Sequence, residues 1–212
     1  MKVGILGSGA VGQALGLGLI ESGHEVKIGT RDPGKLQEWL AKARARASTG
    51  TTAEAAAFGD LIVLATKWEA TEAVIRAADP ARCAGKVVID VTNPLDFSQG
   101  VPPRLAIGHT DSAGEQIQRW LPQSRVVKAF NSVGNAYMVH PQFPGGPPDM
   151  FICGNDQAAK QTVQDICVAF GYPATDLGGI EMARYLEPLA MVWIVYGFRA
   201  NSWSHAFKLL RK

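Results

Sequence analysis

A glycine-rich turn stands near the amino terminus, between a short apolar run and a long helical pattern. Residues 3–6 are apolar without polar alternation, Gly7-Ser8-Gly9-Ala10-Val11-Gly12 follows at once, and the helical pattern continues to Ser22. The first glycine permits a tight turn, the second leaves space beside the backbone, and the last lets helix and strand pack closely. This order is typical of the first strand, turn and helix of a doubly wound α/β fold.

The same turn offers a place for an anion. The first backbone N–H groups of a helix have no partner within the helix and favour negative charge. We therefore expect a dinucleotide pyrophosphate to bind along Gly7, Ser8, Gly9, Ala10, Val11 and Gly12, where Gly9 has no side chain to hold it away from the backbone. A glycine-rich turn without a ligand is the alternative interpretation.

Apolar runs of strand length alternate with helical patterns as far as about residue 130, as in a parallel sheet with crossover helices. The predicted parallel strands are residues 3–6, 25–29, 45–49, 61–65, 87–91 and 126–130. The predicted helices between them are residues 10–22, 33–43, 52–58, 69–78 and 113–121. The expected fold class is α/β, a Rossmann doubly wound parallel sheet (1–140) with a small carboxy-terminal α/β–helical part (141–212).

The pattern weakens after Asn131. Residues 93–110 hold three prolines and two glycines and indicate a long functional loop. After a connector at 140–149, we expect a strand at 150–153, a helix at 157–170 and a strand at 173–177. Residues 180–201 form a helical pattern that is apolar all round, which indicates burial on several sides and a homodimer.

Composition excludes several classes of protein. The chain of 212 residues is 47% hydrophobic and 19% charged, which excludes a disordered chain. Its net charge of +2 without a basic run indicates neither nucleic acid nor membrane as partner. The three separated cysteines indicate no disulfide framework and no metal site, and no secretory signal pattern is present. We expect a cytoplasmic enzyme.

The end of the second predicted strand indicates which dinucleotide binds. NAD enzymes usually carry Asp or Glu there for the ribose 2′-hydroxyl. This chain has Thr30 and Arg31, with Lys35 one helical turn later. A hydroxyl and a guanidinium suit a 2′-phosphate, so the sequence predicts NADP. Asp32 opposes this prediction if it faces the ribose, and Arg31 and Lys35 are alternatively two solvated charges.

The ends of the fourth, fifth and sixth strands should line the nicotinamide half of the cofactor, because ligands bind at the carboxyl ends of such strands. The residues expected to contact it there are Ala65, Thr66, Lys67, Trp68, Asn93, Pro94, Ala129 and Asn131. The alternatives are packing for Trp68, solvation for Lys67 and capping for Asn131. Among the four histidines only His109 is a candidate substrate contact, and no residue is assigned a catalytic role.

With these segments in place, the chain resembles the F420-dependent NADP reductase family, which is related to the cytosolic domain of STEAP-type metalloreductases. The carriers are the glycine turn, Gly29-Thr30-Arg31, Lys67-Trp68-Glu69, Asn93-Pro94-Leu95, Val126-Val127-Lys128-Ala129-Phe130-Asn131, Ile152-Cys153-Gly154, Asp176-Leu177-Gly178 and Phe207-Lys208-Leu209-Leu210. The resemblance implies hydride transfer between NADP(H) and the deazaflavin F420, with the 2′-phosphate on Thr30, Arg31 and Lys35. It implies that the acceptor stacks between the 93–98 loop and the helix carrying Met191 and Trp193.

The chain departs from archaeal members of that family at two places. Its glycine turn is one residue shorter, and it has Lys67-Trp68-Glu69-Ala70 where they have Pro-Trp-Glu-His. The small-molecule redox acceptor of the hydride is therefore F420 or a flavin such as FMN. Two other classes stay open: an NADP-dependent reductase of a small carbonyl or imine, which lacks a Lys or Asp proton donor on the 180–201 helix, and a non-catalytic NADP-binding sensor.

Overall fold

The computed structural model describes residues 1–212, with side chains for all of them except Arg44. The strands are β1 (Lys2–Leu6), β2 (Glu25–Gly29), β3 (Ala47–Gly50), β4 (Leu61–Leu64), β5 (Val87–Asp90), β6 (Leu95–Asp96), β7 (Arg104–Leu105), β8 (Arg125–Lys128), β9 (Met150–Gly154) and β10 (Ala174–Asp176). The α-helices are α1 (Ala10–Glu21), α2 (Gln37–Ala43), α3 (Thr52–Phe58), α4 (Trp68–Ala78), α5 (Ala113–Trp120), α6 (Gln157–Ala169) and α7 (Ala183–Ala200).

One sheet of eight strands has the order β10-β9-β8-β5-β4-β1-β2-β3. The strands from β3 to β8 in this order are parallel, which confirms the six predicted parallel strands and the Rossmann-type fold. The chain moves outward from β1 to β2 and β3, then crosses back to β4, β5 and β8. The order therefore reverses between β1 and β4, and in such folds ligands bind in the crevice at that point.

The missing polar alternation in the strands has a direct cause in the packing. Val3 and Ile5 of β1 face one apolar core with α1 and α6, while Leu6 faces a second core with α3, α4 and α5. All four residues of β4 are buried. Helices thus cover both faces of the sheet, as the apolar runs predict.

Some boundaries differ from those predicted. The third strand begins at Ala47 rather than residue 45, because Arg44–Arg46 form a single 3₁₀ turn. The predicted helix from Pro33 is a 3₁₀ turn over Pro33–Leu36 followed by α2. The long loop at 93–110 contains a small antiparallel ribbon of β6 and β7.

The carboxy-terminal strands extend the main sheet. β9 pairs antiparallel with β8, and β10 pairs parallel with β9, so the hydrogen-bonded sheet continues beyond residue 140. That residues 141–212 form a separate part closing the substrate side stays a prediction. In the described part of the chain, no helix is both long enough and apolar enough to cross a membrane.

Candidate functional site

The glycine turn follows β1 and packs against the carboxyl end of the neighbouring strand β4. Gly7 has a φ of +130°, and a Cβ there would lie 2.2 Å from the Ala65 carbonyl oxygen just beyond β4. Only glycine allows both this backbone angle and this approach. The turn therefore lies at the point where the strand order reverses.

Gly9 and Gly12 have different surroundings. No atom lies within 4 Å of a Cβ built on Gly9, and this residue is exposed at the start of α1. A Cβ on Gly12 would instead lie 2.1 Å from the Gly7 carbonyl oxygen and 3.2 Å from the Ile5 side chain. Gly9 thus leaves an open cradle at a helix N-terminus, which fits a pyrophosphate, while Gly12 serves the packing of α1 on β1.

A glutamine holds the turn in place. Gln13 Nε2 donates to the Ser8 carbonyl oxygen at 2.9 Å, and Trp39 Nε1 donates to the Gln13 carbonyl oxygen at 3.0 Å. The turn is therefore braced from α1, and α1 is fastened to α2. Sequence reasoning missed both residues, since neither belongs to a recognisable motif.

Hydroxyl groups line the end of β2. Thr30 Oγ1 lies 3.2 Å from Ser8 Oγ and also 3.2 Å from the Asp32 carbonyl oxygen, while the Asp32 N–H donates to Thr30 Oγ1 at 3.1 Å. Thr30 at the end of β2 therefore contacts the glycine turn through Ser8, in the part of the site where the adenosine is predicted to bind. This is the arrangement on which the NADP prediction depends.

Of the charged side chains that follow Thr30, Asp32 makes local polar contacts and Arg31 makes none with the described side chains. Asp32 Oδ1 accepts the Gly34 N–H at 3.1 Å and caps the following 3₁₀ turn, and Asp32 Oδ2 lies 3.7 Å from Lys35 Nζ. Arg31 is exposed and has no ion pair within the described part of the chain. The Asp32 carboxylate is thus engaged locally, which favours Thr30 and Arg31 as the groups that face a 2′-phosphate.

The residues after β4 are mostly engaged in packing. Trp68 stacks on Trp120 of α5 with ring centroids 5.6 Å apart, which favours the packing alternative for this side chain. Thr66 Oγ1 lies 2.8 Å from Thr71 Oγ1, and Lys67 is exposed. Of the predicted nicotinamide contacts in this segment, Lys67 is exposed and Ala65, Thr66 and Trp68 are partly exposed, and their contact with a cofactor stays a prediction.

Two asparagines link the ends of β5 and β8. Asn93 Nδ2 donates to the Asn131 carbonyl oxygen at 2.7 Å, and Asn131 Nδ2 donates to Asn93 Oδ1 and to the Leu186 carbonyl oxygen, each at 3.0 Å. Asn131 is 6% exposed, and Ala129 and Pro94 are buried too. The Asn131 amide thus fastens α7 to the strand ends, a role that differs from both the carboxamide contact and the cap, and its contact with a cofactor stays a prediction.

A buried cluster of charged side chains lies close to these asparagines, where Lys128 contacts Thr92, the residue before Asn93. Lys128 Nζ donates to Asp90 Oδ2 at 2.6 Å and to the Thr92 carbonyl oxygen at 2.8 Å, and it forms a salt bridge with Glu187 Oε1 at 3.2 Å. All three charged side chains are at most 1% exposed. Sequence reasoning did not predict this cluster, because its members come from β5, β8 and α7 and no local pattern connects them.

Each carboxylate of the cluster is also held by the backbone or a hydroxyl. Asp90 Oδ1 accepts the Thr92 N–H at 2.8 Å and the Thr92 hydroxyl at 2.7 Å. Glu187 accepts the N–H groups of Ala113 and Gly114, at 3.0 and 3.1 Å, at the start of α5. The cluster therefore fixes α5 and α7 against the strand ends.

Burial and the neighbouring charges act in opposite directions on these groups. Burial by itself lowers the pKa of Lys128, but Asp90 and Glu187 outweigh it and raise the pKa overall. Burial and the nearby Asp90 carboxylate raise the pKa of Glu187, and the ammonium of Lys128 and the α5 amides offset only part of that increase. The lysine is thus firmly charged at neutral pH.

Comparison with known proteins identifies relatives of this chain. Residues 2–94 match the family described as NADP oxidoreductase, coenzyme F420-dependent. An F420-dependent NADP reductase of Methanocaldococcus jannaschii is 32% identical over 95% of each chain. Rat metalloreductase STEAP3 is 31% identical over 90% of this chain, but the match spans only 36% of that protein's length.

A solved structure extends the agreement to three dimensions. The crystal structure of a candidate F420-dependent NADP reductase from Arthrobacter sp. FB24 superposes with a TM-score of 0.94, at 39% identity, over the full length of both chains. The glycine turn and the sheet order are those of a dinucleotide-binding enzyme, and the similarity covers both ends of the chain. The protein therefore belongs to the F420-dependent NADP reductase family and is an NADP-dependent oxidoreductase.

Proposed function

We propose that this protein transfers a hydride between NADPH and a deazaflavin of the F420 type. The observation that carries the proposal is the similarity, over 95% of each chain, to a reductase that is named for both substrates. When bound, NADPH supplies a hydride from C4 of its nicotinamide, and the oxidised acceptor takes up that hydride and one solvent proton. What remains for the protein is to bind and orient two flat rings.

The chain's own residues support the cofactor half of this proposal. The open cradle at Gly9 and the α1 N-terminus suit the pyrophosphate, and Ser8, Thr30 and exposed Arg31 suit the 2′-phosphate. Lys35 adds positive charge nearby, although Asp32 offsets it. We infer that the nicotinamide half lies along the ends of β4, β5 and β8.

An acceptor panel tests the proposal. Purified protein and NADPH are mixed with F420, with FMN, or with a small carbonyl or imine, and NADPH oxidation is followed by absorbance. We expect rapid turnover with F420 and little or none with the others. Turnover with the carbonyl or imine alone would overturn the proposed acceptor, and turnover with FMN alone would replace F420 by a flavin.

A matched pair of variants tests the 2′-phosphate contacts. Arg31→Ala removes one charge-assisted contact worth about 1.5–3 kcal/mol, so the KM for NADPH should rise about 10- to 100-fold while that for NADH stays nearly constant. Arg76→Ala removes an exposed positive charge from α4, where Arg76 pairs with Glu72, and should change neither KM. Equal losses with both nucleotides in Arg31→Ala would contradict the assignment.

We also propose that the protein is a homodimer joined through α7. Tyr185, Val192 and Tyr196 on this helix are 67%, 60% and 55% exposed, and they lie along one side of it. An exposed apolar face of this kind usually marks an association surface. Light scattering should give twice the chain mass for the wild type, and it should give the single chain mass for Val192→Glu.

A cytoplasmic location likewise stays a prediction.

A further inference from the structure

We propose that the buried cluster of Asp90, Lys128 and Glu187 makes the protein favour the oxidised, positively charged nicotinamide ring over the reduced, neutral one. The cluster contains two carboxylates and one ammonium, so it carries one net negative charge when both carboxylates are ionised. The inference rests on the proposed function, because it requires the nicotinamide at the ends of β5 and β8.

Hydrogen-bond donors and the Lys128 ammonium surround both carboxylates of the cluster, an arrangement that suits negatively charged oxygens. Asp90 accepts from the Thr92 N–H, the Thr92 hydroxyl and Lys128, and Glu187 accepts from two α5 amides and forms a salt bridge with Lys128 at 3.2 Å. All the groups that contact these carboxylate oxygens here are N–H or O–H groups. Each of these contacts is stronger with a charged carboxylate than with a neutral carboxyl, which favours the ionised form.

The position of the cluster relates it to the cofactor site. Thr92, whose carbonyl oxygen accepts from Lys128, directly precedes Asn93, and Lys128 directly precedes Ala129. The charge therefore lies one residue from segments expected beside the nicotinamide. Because the three side chains are at most 1% exposed, water and salt screen this charge much less than a surface charge.

The effect of this charge can be estimated from Coulomb's law. A negative charge stabilises the cationic ring of NADP⁺ and leaves the neutral ring of NADPH almost unaffected. If the ring and the cluster lie about 10 Å apart, effective dielectric constants of about 20 to 40 make one unit of charge change the ratio of the two affinities about 4- to 16-fold.

Calorimetric titration with each nucleotide tests the inference. The ratio of Kd for NADP⁺ to Kd for NADPH is measured for the wild type, for Glu187→Gln, and for Glu181→Gln as the control. Glu181 is exposed and lies just before α7, so its substitution removes the same charge where solvent screens it. We expect the ratio to rise about 4- to 16-fold in Glu187→Gln and to stay within twofold in Glu181→Gln.

The outcomes separate the possible failures. If both affinities fall by the same factor in Glu187→Gln, the glutamate only supports the structure and the inference is wrong. If the wild type binds neither nucleotide, the proposed function fails instead. Should Glu187→Gln not fold, Asp90→Asn removes a charge from β5 and must raise the same ratio.

A measurement on the wild type alone also bears on the inference. A site that favours the cationic ring should bind NADP⁺ at least as tightly as NADPH. Tighter binding of NADPH by more than about tenfold would overturn the inference without any variant. Such a preference would be as large as the expected electrostatic effect but would favour the reduced ring. This measurement decides the matter if neither substituted protein folds.

Discussion

Alanine at Gly9 and alanine at Gly12 should have opposite consequences, although both glycines belong to one short turn. At Gly9 the backbone has φ −73° and ψ 179°, which alanine adopts freely, and the space around a Cβ is open to at least 4 Å. At Gly12 a Cβ would lie 2.1 Å from a backbone oxygen. We therefore expect Gly9→Ala to impair nucleotide binding and Gly12→Ala to impair stability.

The magnitudes follow from these surroundings. In Gly9→Ala the methyl group occupies the pyrophosphate cradle, and loss of one charge-assisted hydrogen bond, about 1.5–3 kcal/mol, raises the Kd for NADPH about 10- to 100-fold. In Gly12→Ala helix α1 must move until 2.1 Å becomes at least 3.0 Å. Such overpacking costs about 1–3 kcal/mol, and each kcal/mol lowers Tm by about 2–4 °C in a chain of this size.

Thermal unfolding without ligand and titration with NADPH measure the two effects separately. Gly9→Ala should keep the wild-type Tm to within about 2 °C, since the loss of a glycine cap and the stiffer unfolded chain nearly cancel. If its Kd for NADPH stays within threefold of the wild-type value, the turn does not hold the pyrophosphate. An unchanged Tm in Gly12→Ala would refute the argument from close packing.

Three further results are expected. Lys128→Met leaves two buried carboxylates without their cation and should cost about 3–5 kcal/mol of unfolding free energy in urea; a loss below about 1 kcal/mol would contradict this. Hydrogen bonds from Arg184 hold the pKa of Glu115 below its usual 4.5, so this pair stabilises the fold above about pH 4.5 and loses its effect as the pH falls through the lowered pKa. The wild type should therefore lose more Tm than Glu115→Gln between about pH 6 and pH 3, and equal losses would argue against the pair. Burial raises the pKa of Cys153 and Cys167 to about 12, so iodoacetamide should modify them only after unfolding, and mass spectrometry would detect rapid native labelling as the contrary result.

Local patterns predicted the elements of the fold well. The apolar runs that became β1, β4 and β5 are covered by helices on both faces, so each of these strands shows its burial in its own residues. The glycine turn is equally local, because a tight turn, an open backbone and a close helix contact each require glycine at a fixed spacing.

The contacts of individual side chains are harder to predict from local patterns. Trp68 stacks on Trp120, and Asn131 bonds to Asn93 and to the Leu186 carbonyl oxygen, so both serve contacts with residues distant in sequence. A pattern around either residue contains no information about such partners. The same holds for Asp32, whose role as a cap became visible only with the 3₁₀ turn at Pro33.

By itself, the sequence determined a doubly wound α/β fold and a glycine turn at its start, and it predicts an NADP site after β2, because these depend on neighbouring residues and on short periodicities. Only the tertiary structure decided that Asp90, Lys128 and Glu187 share one buried site beneath the strand ends. They lie far apart along the chain, and a buried charge is tolerated only where folding brings its partners to it.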